Sequence, residues 1–265
     1  MPEHSFLAYM EPFKIFGNVY FVGTKAVSSH LIDTGDGLIL LDTGYPQALY
    51  LLLENIRKLG FSPYDIKILL HSHGHCDHIG GTARLAALTG AKTYIGALDK
   101  DMVTGKEDTS YANELGYVFH EAFTPDVLLQ DGDEIQLGRT VIRAMHTPGH
   151  TPGTMSYFLD VTDGEKTCRA AMMGGSGTNT MEKPFLERYS ISEKWRNNYP
   201  GVIARLEKEH VDIVLGNHIE DNDTLGRYLK MKQTGENTFI DNTAWPKHLA
   251  GCIRRYNTLL ESEKE

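Results

Sequence analysis

Four histidines and an aspartate crowd into eight positions, His71, His73, His75, Asp77 and His78, where the apolar run Ile66 to Leu70 ends. A lone buried histidine is most often a satisfied core residue, but four beside a carboxylate at the mouth of a strand point to a cation. In extended chain, residues i and i+2 project to the same side, so His73 and His75 can clamp one ion. Asp77 and His78 are adjacent and diverge, which suits a second ion a few ångströms away. Two ions need more donors than these four. His150, in His146-Thr147-Pro148-Gly149-His150-Thr151-Pro152-Gly153, sits in a turn stiffened by two prolines and two glycines, as a preorganised ligand requires. His218, in Val214-Leu215-Gly216-Asn217-His218, directly follows another apolar run.

Imidazoles with a carboxylate suit zinc, and also iron or manganese. Three histidines on one ion resemble a water-activating site with a position left open, whereas a closed structural site more often uses cysteine. Two zinc ions sharing a water would generate hydroxide near neutral pH and polarise a carbonyl. The expectation is therefore a dizinc metallohydrolase whose metal-bridging hydroxide attacks a carbonyl, with Asp77 helping to orient the nucleophile. Asp42, after Leu40-Leu41, is expected to orient a metal-bound histidine or water, and His146 to do the same or to play a structural part. Cys76 should point away from the ions. Tyr20, Phe21, Tyr111 and Tyr117 are candidates to line a pocket, though aromatics more often pack in the core or on the surface.

These residues need strand ends to hold them. Lys14 to Gly23 reads as a strand with a Gly17-Asn18 turn, followed by Ala26 to Asp33 and the buried run Leu38 to Leu41. Pro46 opens a helix whose stripe is Leu49, Leu52, Leu53, Ile56 and Leu59, closed by Gly60. Ile66 to Leu70 is a buried strand, Ile79-Gly80-Gly81 opens a helix through Leu88, and Lys92 to Ile95 is a strand. Asp99 to Thr124 reads as a long loop or lid. Val127 to Leu129, Glu134 to Leu137, Thr140 to His146, Met155 to Leu159 and Thr167 to Met173 read as strands in hairpins. Trp195 to Glu209 is helical with a break at Pro200, Val211 to Leu215 is a strand, and Thr243 to Leu260 is a closing helix. Strands and helices alternate without a linker, so the whole chain, 1–265, reads as one α/β domain of two sheet-rich halves with outer helices.

The 265 residues carry a formal charge of -9, which argues against a nucleic-acid or anionic-membrane partner. Three scattered cysteines are no disulfide framework and fit a reducing compartment. Met1 to Tyr9 lacks the pattern of a signal peptide, and no run approaches the ~20 apolar residues of a membrane helix. A cytoplasmic protein acting on a small molecule is expected.

His73-Gly74-His75-Cys76-Asp77-His78 matches the His-x-His-x-Asp-His signature of the metallo-β-lactamase superfamily, here followed by Ile79-Gly80-Gly81. Leu40-Leu41-Asp42-Thr43-Gly44 and Thr147-Pro148-Gly149-His150-Thr151-Pro152-Gly153 resemble two more of its motifs. The likeness runs from about Lys14 to Leu260 and implies a four-layer αββα sandwich with the metals at one edge between the sheets. Gly149 to Tyr157, and Asp241-Asn242-Thr243-Ala244 before the last helix, most resemble the third subclass of class B β-lactamases. That resemblance implies zinc on His73, His75 and His150, a second zinc on Asp77, His78 and His218, and hydrolysis of β-lactam antibiotics. Where other members carry a bridging aspartate or a cysteine ligand, this chain offers Ser176. Ser176 and Thr178 could hydrogen-bond a substrate carboxylate, or be incidental hydroxyls of a glycine-rich turn. The subclass disulfide is missing, with Val211 and Trp245 at its positions. His71 has no counterpart in the motif and could stand behind the ligands. The alternatives are a lactonase or another ester or thioester hydrolase and, in a different class, a diiron redox or noncatalytic binding protein.

Overall fold

The computed structural model describes residues 8–116 and 121–264. Tyr117 and most of the N-terminal stretch considered above lie outside the described residues. Seven strands, β1 (Phe13–Phe16), β2 (Val19–Phe21), β3 (His30–Asp33), β4 (Leu38–Leu41), β5 (Ile66–Leu70), β6 (Lys92–Gly96) and β7 (Val127–Leu129), form one sheet in chain order. Neighbours are antiparallel from β1 to β4 and parallel from β4 to β7. A second sheet has the order β12-β11-β10-β9-β8, from β8 (Glu134–Leu137), β9 (Thr140–His146), β10 (Met155–Asp163), β11 (Lys166–Met172) and β12 (Ile213–Val214). It is antiparallel except where β12 runs parallel to β11. Among the described residues the α-helices are α1 (Leu49–Lys58), α2 (Cys76–Ile79), α3 (Thr82–Thr89), α4 (Lys100–Val103), α5 (Lys183–Arg188), α6 (Lys194–Asn197), α7 (Tyr199–Leu206), α8 (Thr224–Thr234) and α9 (Ala244–Ser262).

The layering follows from side chains alternating across each strand. In β4, Ile39 and Leu41 face the second sheet, while Leu38 and Leu40 face Leu52 and Ile56 of α1 and Leu85 of α3. In β10, Tyr157 and Leu159 enter the same inter-sheet core, and Phe158 turns outward to Tyr199 and Ile203 of α7 and Trp245 and Leu249 of α9. Three apolar cores therefore separate four layers, helices, sheet, sheet, helices, as the αββα expectation requires. Because both faces of β4 are covered, its four residues are all buried, which explains a run with no polar alternation.

Several boundaries differ from the sequence expectation. The helix expected from Ile79 divides into α2 and α3 around Gly80 and Gly81, where the chain passes Pro46 so closely that a Cβ on Gly80 would lie 2.2 Å from Pro46 Cδ. Trp195 to Glu209 divides into α6 and α7, with Pro200 in the first turn of α7, where its missing N–H is not needed. Val211 to Leu215 shortens to the two residues of β12. The expected loop from Asp99 begins as helix, through Ala97–Asp99 and α4. Phe21 is a core residue and Tyr20 packs edge-on against Phe61, so neither lines a pocket at the histidines.

Candidate metal centre

Strand direction decides where the histidines meet. β4 and β5 are parallel, and β9, β11 and β12 share one direction because β10 is antiparallel to both β9 and β11. The chain leaves β5 into His71–His78, β9 into the loop carrying His150, and β12 into Leu215–His218. Strand ends are where α/β folds gather polar groups, because backbone donors and acceptors are free there and no core is disturbed.

Two groups of donors result. His73, His75 and His150 offer one nitrogen each within 4.8 Å of one another, and Asp77, His78 and His218 form a second group by the same measure. His73 Nε2 is 3.0 Å from His75 Nδ1. In the second group His78 Nε2 is 3.3 Å from both His218 Nε2 and Asp77 Oδ2, and the last two are 3.5 Å apart. A tetrahedral cation with ~2.0–2.1 Å bonds holds its donors roughly 3.3 Å apart, so the spacing fits a first coordination shell. The groups adjoin, with the rings of His73 and His78 4.3 Å apart between centroids.

The remaining ring nitrogens are held from behind. His78 Nδ1–H donates to Asp42 Oδ2 at 2.8 Å, and His73 Nδ1–H donates to Ser72 Oγ at 3.0 Å. Ser72 in turn donates to Asp42 through both its hydroxyl and its backbone N–H, each at 2.7 Å. His150 Nδ1–H donates to the Gly177 carbonyl at 2.9 Å, and His218 Nδ1–H to the Ala26 carbonyl at 3.2 Å. Each bond fixes a tautomer that leaves the other nitrogen's lone pair for the centre. Asp42 adopts φ +60°, a left-handed conformation that aspartate tolerates better than most residues and that its hydrogen bonds sustain.

Burial and then the neighbouring His78 hold His73 well below the ordinary imidazole value, and burial with His150 does the same to His75. His150 is lowered to about 4, chiefly by burial. Burial would raise the Asp77 carboxyl, but His78 and then His218 outweigh it and hold it below the usual carboxylate range. Burial likewise opposes protonation of His78, yet Asp77 and Asp42 push it up to about 10.

The other expected residues lie close by in different parts. Ser176 lines the cavity, but its hydroxyl donates to Asp221 Oδ1 at 2.7 Å. Thr178 faces a neighbouring groove with Arg254 and Arg255 rather than the cavity at the histidines. His146 meets no candidate ligand; it bonds the Pro152 carbonyl at 2.8 Å and thereby ties down the His150 loop. His71 is a staple between the Tyr94 carbonyl and Thr82 Oγ1, at 2.8 and 2.7 Å. Cys76 is buried outside both donor groups, its thiol pushed up by burial and then by Asp77. Tyr111 does reach the cavity, its ring 5.6 Å from that of His75.

Three residues escaped sequence reasoning. Asp99 is fully buried and accepts from Gly74 N–H, Gly153 N–H and Thr151 Oγ1 at 2.9, 2.7 and 2.7 Å, locking the His73–His75 segment to the His150 loop. Ser72 carries the Asp42 contact to His73, and its place beside the first ligand was the only signal for it. Asp221 stands behind Ser176 and accepts the backbone N–H of His218 at 3.1 Å. Burial would raise its carboxyl, but His248 and then His218 lower it.

The sequence model of the metallo-β-lactamase superfamily matches residues 22–163, more than half the chain. The chain belongs to this superfamily, and its two donor groups form a candidate dinuclear metal site. BJP-1, a subclass B3 metallo-β-lactamase of Bradyrhizobium japonicum, superposes with a TM-score of 0.90 at 29% identity, covering 100% of this chain and 98% of that one. The metallo-β-lactamase FEZ-1 of Legionella gormanii gives 0.89 at 32% identity over 97% and 98%. Among curated sequences, a probable metallo-hydrolase of Burkholderia pseudomallei is 36% identical over 53% of this chain and 44% of its own. Hydroxyacylglutathione hydrolase GloC of Haemophilus influenzae is 31% identical over 40% and 49%. The matches thus span about half the length of these curated relatives. No helix among the described residues is long and apolar enough to cross a membrane.

Proposed function

We propose that this protein is a dizinc hydrolase of small-molecule carbonyl compounds, with β-lactam amide hydrolysis as its activity. The observation that carries this is the pair of three-donor groups opening on one cavity of about 300 Å³. His73, His75 and His150 would hold one ion, and Asp77, His78 and His218 the other. Five imidazoles and one carboxylate suit zinc by softness, and three donors per ion leave a position open. When bound, such a pair supplies a hydroxide-like nucleophile near neutral pH and polarises the carbonyl. Asp42 orients His78 directly and His73 through Ser72, so one buried carboxylate serves both groups. Asp77, in the cavity wall, would also help to orient the nucleophile. Tyr111 and Leu115 supply an apolar wall for the substrate.

A second reading is thioester or lactone hydrolysis, supported by the likeness to hydroxyacylglutathione hydrolase. The absence of a carboxylate from Gly174 to Thr178 counts against it. Metal analysis, combined with turnover of a chromogenic cephalosporin, a lactone and a thioester, decides between them. Cephalosporin turnover with two zinc ions per chain is the expected result. Full zinc occupancy with no cephalosporin turnover would overturn the β-lactam proposal.

A further inference from the structure

The apolar wall of the metal cavity is carried by a segment with little support of its own. Tyr111 and Leu115 line the cavity. Tyr111 holds φ +62°, a left-handed conformation unfavourable for a bulky aromatic residue, so its surroundings must enforce it. On the N-terminal side the support is direct. Ser110 is buried, and its carbonyl accepts the N–H of Cys76 in α2 at 2.9 Å. On the C-terminal side, Asn113, Leu115 and Gly116 are exposed. The Leu115 N–H donates to the Tyr111 carbonyl at 3.3 Å, and the Gly116 N–H to the Asn113 carbonyl at 3.1 Å. Those two bonds shape a turn but do not attach it to another element.

Glu114 makes that attachment. Its side chain is only 14% exposed, and Oε1 accepts from the Tyr189 hydroxyl and, at 3.2 Å, from Arg188 Nη1. Hydrogen bonds to a carboxylate are stronger than those between neutral groups. Asn113 lies at the same Tyr189 hydroxyl. Arg188 and Tyr189 stand at the end of α5, which is itself fixed by buried Phe185 and Leu186. The N–H of Lys183, at its start, donates to the Glu263 carboxylate at 3.0 Å. From this contact a row of rings leads back to the metal centre. Between centroids, Tyr189 is 4.7 Å from Phe185, Phe185 is 5.6 Å from Tyr111, and Tyr111 is 5.6 Å from His75.

We propose that Glu114 is a positioning residue: by latching the turn 113–116 onto α5, it holds Tyr111 and Leu115 in place as the substrate-facing wall. This rests on the proposed hydrolytic function and names what keeps that site ready for its substrate. Among the described residues, Glu114 is not part of the cavity lining, so its removal takes no group away from the site itself. What changes is the fraction of molecules in which the wall stands in place. Apparent substrate affinity falls with that fraction. Turnover of bound substrate does not, because substrate held against the wall meets the same centre.

The test uses zinc-loaded Glu114→Ala, Tyr189→Phe and the double variant, with whichever of the cephalosporin, lactone and thioester is turned over fastest. Glu114→Ala should raise KM about tenfold while kcat and metal content stay within about twofold of wild type. Tyr189→Phe removes one hydroxyl from the other side of the latch and should raise KM as well. The double variant should match Glu114→Ala within about twofold, because both changes break one contact. A KM in Glu114→Ala within twofold of wild type would overturn the proposal. So would a fall in kcat at unchanged KM, or a double variant whose KM rises by the product of the single effects. Hydrogen–deuterium exchange repeats the test without turnover. Amides of residues 111–116 should exchange at least about tenfold faster in Glu114→Ala, and wild-type exchange there would sink the latch. If none of the three substrates is hydrolysed, the proposed activity fails, and the exchange still decides the role of Glu114.

Discussion

Asp42 and His78 form a fully buried pair, Oδ2 to Nδ1 2.8 Å, although they come from different strand ends and lie 36 positions apart in the chain. Through Ser72 the same carboxylate also reaches His73, so it steers one ligand of each donor group. Replacing it with asparagine keeps a residue that tolerates the positive φ but presents an N–H to His78 Nδ1. The imidazole is then pushed toward the tautomer with its proton facing the centre. Metal affinity should fall about 10- to 100-fold, as measured by competition with a chromogenic chelator. Unchanged affinity in Asp42→Asn would show that the tautomer is set elsewhere.

His150→Ala should abolish turnover and lower metal content from two ions per chain toward one, because its group loses one of three donors. Elemental analysis after gel filtration reads this directly. A variant with full metal content and full activity would remove His150 from the centre.

Gly175 gives a test that leaves every donor in place. A Cβ there would sit 2.7–2.9 Å from atoms of the His150 ring, closer than real side chains approach. Gly175→Ala should displace His150 and reduce turnover at least tenfold, as expected when a catalytic group is misplaced. The far-ultraviolet circular dichroism should stay close to wild type. Wild-type kinetics would mean that the loop shifts freely.

Stability at the end of the last helix depends on Arg196 and Glu263. Arg196 is 3% exposed, and its guanidinium pairs with the Glu263 carboxylate while also donating to the Met181 carbonyl at 3.0 Å. Glu263→Ala leaves a buried charge without its partner and should cost about 3 kcal/mol. That corresponds to a fall in Tm of about 6–12 °C for a chain of this size. Arg196, by its hydrogen bond and charge, holds the Glu263 carboxyl below its ordinary value. A depressed carboxyl contributes stability that is complete above its unfolded value of about 4.3 and is lost as pH falls through its lower folded value. Thermal melts of chelator-treated protein between about pH 5 and pH 3 should therefore decline less steeply in Glu263→Gln than in wild type. Parallel declines would show that the pair does not carry the dependence.

The donors were legible because coordination chemistry constrains residue type and short spacing. His73, His75, Asp77 and His78 declare themselves within one turn of chain, and His150 and His218 each follow an apolar run that reads as a strand. The layers were legible where periodicity is strong, as in Leu38–Leu41 and the stripe of α1. Less visible were the bounds of Ala26 to Asp33, whose strand begins only at His30, and of Val211 to Leu215, whose strand is confined to Ile213 and Val214. The breaks at Gly80 and Pro200 depend on neighbours and cap position rather than on local pattern.

By itself the sequence determined which side chains are candidate cation donors, that they fall into two sets, and that apolar runs read as strands lead into them. Only the tertiary structure decided what stands behind and beside those atoms. Asp99 joins two loops across 52 and 54 positions, and Asp221 accepts a hydrogen bond from a hydroxyl 45 positions away. Such partnerships leave no periodic trace, because a hydrogen bond requires only that two groups meet in space, whatever the length of chain between them.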